Sequence, residues 1–188
     1  MILLEHALAY AAPAGRYERR RQPGRLLHPV AELTALVLVL ACVAAFGLTL
    51  EALSAAILCV ALVIVSVTDL EYRIVPDRIV LPAAAVVLLL NTIRKPSPEW
   101  ILAALAFALV LLVAALVNPE GMGLGDVKLA LLIGAGLGWG AVLALVVAAA
   151  AAFVPALVLL LGRGGRKATM AFAPFLAFGA VVALFLRA

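Results

Sequence analysis

The chain has 188 residues, of which 68% are hydrophobic and only 13% charged, and its mean hydropathy is +1.26. A soluble domain is about half apolar and a quarter charged, and a globule this small leaves too much surface in water to hide the excess. Composition therefore excludes a soluble enzyme, a nucleic-acid-binding module and a disordered chain, and it makes the net charge of +4 a matter of membrane topology.

Residues 1–29 are too poorly apolar to span. The apolar stretch 1–12 is short and carries Glu5 and His6, and Arg16, Arg19, Arg20, Arg21 and Arg25 follow it. A signal peptide has the opposite order. We expect a basic cytoplasmic segment at 1–29, partly amphipathic on the membrane surface, ahead of a transmembrane domain at 30–188. A bilayer core about 30 Å thick needs about 20 helical residues. Spans are predicted at 30–50, 52–69 (with Glu51 in the turn between them), 75–93 and 99–117, and Asn118-Pro119-Glu120-Gly121 breaks the fourth.

The next apolar stretch, 127–161, would be about 52 Å long as one helix, well beyond the hydrocarbon. It contains Gly134, Gly136, Gly138 and Gly140, so it is split into a short span at 126–137 and a second at 139–161. A last span covers 171–187. The fold class is thus an all-α polytopic bundle of seven spans. With seven, eleven of the fourteen basic residues fall on one face and three (Arg94, Lys95 and Arg187) on the other; without the split the division is nine against five. The positive-inside rule prefers seven spans with a cytoplasmic N-terminus.

Charges inside spans cost about 2.5–3.5 kcal/mol each at the bilayer centre and less near helix ends. Glu32 and Glu51, at the two ends of the first span, have a structural explanation as interfacial residues. Asp69 ends the second span and Asp126 opens the fifth, so alternation puts both at similar depth on the basic face. Two juxtaposed carboxylates can share one proton, the ionised one activating water while the protonated one polarises a carbonyl. The competing reading is two interfacial end charges, or Asp126 paired with Lys128. Gly123 and Gly125, just before Asp126, permit close backbone approach and leave room for an extended substrate; such glycines also simply pack transmembrane helices. Lys128 is expected to orient Asp126 or to snorkel. Asp77 is expected to cap the third span or meet a basic residue, and Pro76 to set its start.

Other chemistries find little support in the sequence. Ser54, Ser66 and Ser97 lack a Gly-x-Ser-x-Gly setting and a placed histidine. Cys42 and Cys59 lie in apolar runs, and with His6 and His28 they form no metal-ligand or disulfide pattern. No cofactor is expected.

The motifs are similar to those of the type IV prepilin peptidases. Thr68-Asp69-Leu70-Glu71-Tyr72-Arg73-Ile74-Val75-Pro76-Asp77-Arg78 resembles the family's first motif, an Asp at a span end followed by Ile-Pro-Asp, with Val75 at or beside the Ile position. Gly123-Leu124-Gly125-Asp126-Val127-Lys128 resembles the second, Gly-x-Gly-Asp-x-Lys, and Gly134-x-x-x-Gly138-Trp139 follows as in the family. Phe172-Ala173-Pro174-Phe175-Leu176 resembles its C-terminal Phe-Gly-Pro-Phe-Leu, with Ala173 for Gly. His28-Pro29-Val30-Ala31-Glu32-Leu33 is similar to the Tyr-Pro-x-x-Glu-Leu that opens the peptidase part.

The resemblance covers about 28–180. It implies a membrane aspartic endopeptidase with Asp69 and Asp126 catalytic. The enzyme would cut the basic leader from prepilins or pseudopilins at the cytoplasmic face of the inner membrane, with membrane lipid and the precursor as partners and no nucleic acid. Long family members carry an extra span and two Cys-x-x-Cys pairs; none is present in these 188 residues, so a peptidase without the N-methyltransferase part is expected. The alternative from another class is a non-catalytic transporter or pilus-assembly protein of the same fold. It would use the two acids as ligands in a cavity, although no inverted repeat is evident.

Overall fold

The computed structural model describes residues 27–117, 123–161 and 171–187. Most of the basic segment expected at 1–29 lies outside them, as do the 118–122 and 162–170 connections with Arg163, Arg166 and Lys167. Among the described residues there are seven helices and no strand. They are α1 (Leu27–Phe46), α2 (Leu50–Tyr72), α3 (Asp77–Arg94), α4 (Glu99–Val117), α5 (Leu124–Leu137), α6 (Ala141–Leu161) and α7 (Ala173–Leu186), with one 3-10 turn, Gly138–Gly140, between α5 and α6. By length and composition four stretches are long and apolar enough to cross a bilayer: Pro29–Phe46, Leu50–Tyr72, Glu99–Val117 and Leu124–Phe153, the last interrupted by the turn at Gly138–Gly140. Ala173–Leu186 is apolar but shorter. The molecule is an integral membrane helical bundle.

Helix boundaries follow local chemistry. α1 stops at Gly47, where φ is +69°, and Thr49 then caps α2 by accepting the Ala52 N–H at 3.2 Å. Glu51, expected in a turn, is therefore in the first turn of α2, where an acid suits the helix dipole. α2 runs past its expected end at 69 to Tyr72. Arg73, left-handed at φ 54°, closes it by donating its N–H to the Asp69 carbonyl at 2.9 Å. The expected break among the four glycines falls at Gly138. Its φ of +56° leaves the helical region, and the Trp100 ring lies 3.2 Å from where a Cβ would stand.

Contacts at the helix ends give each helix its direction. At one end, Asp69 of α2 meets Ala173 of α7, and Asp77 of α3 meets Lys128 of α5. At the other, Glu51 of α2 pairs with Arg94 at the end of α3, and Arg187 beyond α7 reaches Glu51 and the last carbonyls of α5. Phe46 of α1 stacks on Phe185 at this same end, ring centroids 6.5 Å apart. Successive helices therefore alternate in direction, and the chain reverses at Gly138–Gly140. Within the bundle, Cys42 and Cys59 meet sulfur to sulfur at 3.9 Å across the α1–α2 contact.

α5 is the centre. It packs against α4, α3, α7 and α2, and separates α3 from α4. From Leu132 to Leu137 every residue is buried, as expected of a helix that is apolar all round. Gly134 lets α4 approach so closely that a Cβ would stand 2.6 Å from the Ala104 Cα, and Gly179 does the same for α6 against α7. In lipid, where apolar side chains gain little by leaving solvent, such small-residue contacts drive helix association. Because α5 ends inside the bundle, its final carbonyls need partners. Asn91 Nδ2, fully buried on α3, donates to the Ala135 carbonyl at 2.9 Å. Asn91→Leu leaves that carbonyl unmet and is expected to cost about 1–3 kcal/mol, read as a lower melting temperature in detergent; an unchanged melt would contradict this role.

Candidate active site

Two carboxylates occupy the end of the bundle where α2 finishes and α5 begins. Asp69 lies one turn before the α2 terminus and Asp126 in the first turn of α5; they are only 8% and 9% exposed. They come from positions 57 residues apart in the chain, yet each lies within electrostatic reach of the other. A buried acid must be met by donors, and both are. Asp69 Oδ2 accepts the Ala173 N–H at 3.1 Å and feels the Arg73 charge. Asp126, third residue of α5, takes a hydrogen bond from the Gly123 N–H and returns its own N–H to the Gly123 carbonyl at 3.1 Å. This is the reciprocal arrangement of a capping box, with the acid turned inward.

Gly125 explains why the two acids can meet. A Cβ at that position would stand 2.7 Å from Val75 Cβ and 2.8 Å from Val75 Cγ2. The connection between α2 and α3 therefore rests directly on the first turn of α5. Because Val75 Cβ is attached to the backbone, no rotamer change would make room. Gly123 has open space around it, with only the Gly125 nitrogen at 3.8 Å, and its φ of −83° is ordinary. The two glycines of the motif thus differ: one admits a neighbour and the other caps a helix.

The supporting residues Pro76, Asp77 and Lys128 lie at the start of α3 and the first turns of α5. Pro76 is the residue before α3 rather than its first member, and its carbonyl accepts the N–H groups of Ile79 and Val80 at 3.0 and 3.1 Å. Asp77 opens α3 without capping it; its Oδ2 accepts from Lys128 Nζ at 2.6 Å. Lys128 thus reaches Asp77, not Asp126. Lys128 is at i+2 from Asp126, on another side of the helix, and that side faces α3. The pair is well exposed and worth at most about 1 kcal/mol. It ties the α3 start to α5 beside the carboxylates.

This pairing of a buried Asp at the end of one apolar helix with Gly-x-Gly-Asp at the start of another accords with a family model described as the type IV leader peptidase family, which matches residues 56–188. The chain belongs to the type IV leader peptidase family. It is similar to a prepilin leader peptidase/N-methyltransferase of Burkholderia pseudomallei, 35% identical over 95% of this chain and 60% of that protein. One of Bacillus subtilis is 33% identical over 84% of this chain and 65% of its own length. One of Pseudomonas putida is 30% identical over 94% and 65%. The chain therefore spans only about three fifths to two thirds of these relatives' length. No solved structure matches it.

Two groups that meet Asp69 carry no signal in the sequence. The Ala173 N–H is a main-chain donor and leaves no side-chain signature, though Pro174 marks a helix start beside it. Arg73 stands within the first motif, but its left-handed cap is not legible from residue type. Gly125→Ala is expected to lower stability by about 1–3 kcal/mol through overpacking against Val75, despite alanine's better helix propensity. Gly123→Ala should change it by less than about 1 kcal/mol. Thermal melts in detergent check the contrast, and equal effects would refute the steric account.

Proposed function

We propose that this chain is a membrane-embedded aspartic endopeptidase that removes the leader from prepilin or pseudopilin-like precursors. The supporting observation is that two buried carboxylates, Asp69 and Asp126, lie within electrostatic reach of each other at one end of a bundle belonging to a leader peptidase family. The names of its relatives point to prepilins as the substrate class. The sequence-wide excess of basic residues on the dyad face puts that face in the cytoplasm, and in a bacterial cell the membrane is then the inner one.

The chemistry needs only the pair and a water. With one proton shared between them, the ionised carboxylate takes a proton from water as its oxygen attacks the scissile carbonyl, while the protonated one donates toward the carbonyl oxygen. Collapse of the gem-diol breaks the C–N bond as one of its hydroxyls returns a proton to the pair and the pair gives a proton to the leaving amine. The products are a leader carboxylate and a new N-terminus, and the pair returns to its starting proton count. The two carboxylates titrate as a unit, so acid and base are roles of the dyad and not of either residue. The buried setting favours this by removing competing solvent and strengthening each electrostatic contact. Lys128 and Asp77 hold the two motifs together and take no part in proton transfer.

Co-expression with a prepilin, followed by gel analysis of leader loss, tests the reading. Asp69→Asn and Asp126→Asn should each leave the precursor uncut, a loss of at least about a thousandfold for removing one member of a catalytic unit. Full processing by either variant would refute the dyad. Asp77→Asn, which loses only the exposed pair with Lys128, should reduce processing by less than about tenfold; abolition would place Asp77 in the chemistry.

A further inference from the structure

α5 and α7 run parallel and have the same length, 14 residues each, about 21 Å. Their starts meet at the dyad. α5 carries Asp126, and α7 holds Asp69 through the Ala173 N–H. That donor is the one left over in the first turn of α7. Pro174 has no N–H, and the N–H groups of Phe175 and Leu176 both go to the Phe172 carbonyl at 3.1 and 3.2 Å. The ends of the same two helices meet at Arg187. Its Nη1 donates to the Leu137 carbonyl at 2.8 Å and its Nη2 to the Gly136 carbonyl at 3.3 Å, and Nη2 lies 3.8 Å from Glu51 Oε1.

These contacts close a circuit: from Asp126 along α5 to its last carbonyls, across Arg187, back along α7 to Ala173, and through its N–H to Asp69. The gap left in the circuit is the separation of the two carboxylates. The buried residues of α7 between its two ends are mostly small or aliphatic, including Ala177, Gly179, Ala180 and Ala183. Dispersion contacts of such residues have little directional preference. A two-pronged guanidinium on fixed carbonyls is directional. A slip of one residue would move the Ala173 N–H by about 1.5 Å, enough to lose its bond to Asp69 or to drag the acid with it.

We propose that Arg187 is a positioning residue that sets the axial register of α7 against α5 and thereby the spacing of Asp69 and Asp126 about 20 Å away. Its effect on turnover rests on the peptidase reading above; its effect on geometry does not.

The experiment therefore has two arms on the full chain in detergent. In the first, prepilin cleavage is measured for wild type, Arg187→Met and Arg187→Lys. Arg187→Met should lose about tenfold or more in kcat with KM within twofold, as expected for misplaced reacting groups, and Arg187→Lys, which keeps the charge but not the two-pronged fork, should recover only a minor part of the loss. In the second, spin labels on Leu70→Cys and Leu124→Cys, exposed neighbours of the two acids, report the dyad spacing in a Cys42→Ala, Cys59→Ala background. Arg187→Met should shift or broaden that distance by about 1.5 Å. Wild-type kcat in Arg187→Met overturns the proposal, and so does an unchanged label distance. If wild type itself cuts no prepilin, the peptidase reading fails and the label distance alone decides. If Arg187→Met does not fold, Glu51→Gln carries both arms, with a smaller shift in the same direction expected and no shift overturning the proposal.

Discussion

A helix end packed among other helices presents carbonyls that water does not reach, and the last turn of α5 is buried within the bundle. That constraint organises the end of the molecule remote from the dyad. Asn91 comes from α3 to cover one carbonyl, and Arg187 comes from beyond α7 to cover two more. Glu51 in the first turn of α2 lies 3.8 Å from Arg187 Nη2 as its counter-charge. Arg94 shares the same carboxylate and lies 5.6 Å from the centroid of the Trp100 ring, against which Gly138 packs. Meeting the needs of one short helix thus joins α2, α3, α4, α5 and α7. The dyad end is the counterpart: there the unmet groups are N–H donors, and carboxylates meet them.

Close approach is the second condition. The first turn of α5 has no side chain where Val75 rests, so the segment that follows Asp69 lies on the helix that bears Asp126. A methyl group at Gly125 would separate the two motifs that the family model joins. Each acid then finds a main-chain donor at a helix start, Ala173 for one and Gly123 for the other. Backbone donors are rigid and need no ordering of a long side chain, which suits groups that must hold their geometry while protons move.

Much of this was legible in residue types. Composition identified the membrane, and the run of glycines at 134–140 marked the reversal that makes α5 short. Alternation of the spans put Asp69 and Asp126 at one end, because hydrophobic run length and chain direction are both one-dimensional properties. The parts that could not be read are three-dimensional or belong to the main chain. Glu51 was assigned to a turn because the cap by Thr49 and the positive φ at Gly47 shift the helix start by a few residues. Lys128 sits two residues from Asp126 in sequence, which suggests partnership, yet a helix turns about 100° per residue and sends it to Asp77 on α3. Arg187 was counted as one charge on the opposite face, and nothing in its neighbours showed that it would reach back to α5. The Ala173 N–H has no letter in the sequence at all.

The placement of two acids inside an apolar bundle also bears on how robust the molecule is. Each carboxylate taken from water into the membrane is a destabilising element, up to about 2.5–3.5 kcal/mol at full depth, and native bundles have little margin to spare. The glycine contacts, the covered carbonyls and the Glu51 ion pairs offset that burden. The most stable form of this bundle is therefore one in which the acids have been replaced by neutral residues of similar shape. On the proposed function, stability and activity pull in opposite directions at Asp69 and Asp126, and drift toward a sturdier fold would quietly erase the two acids.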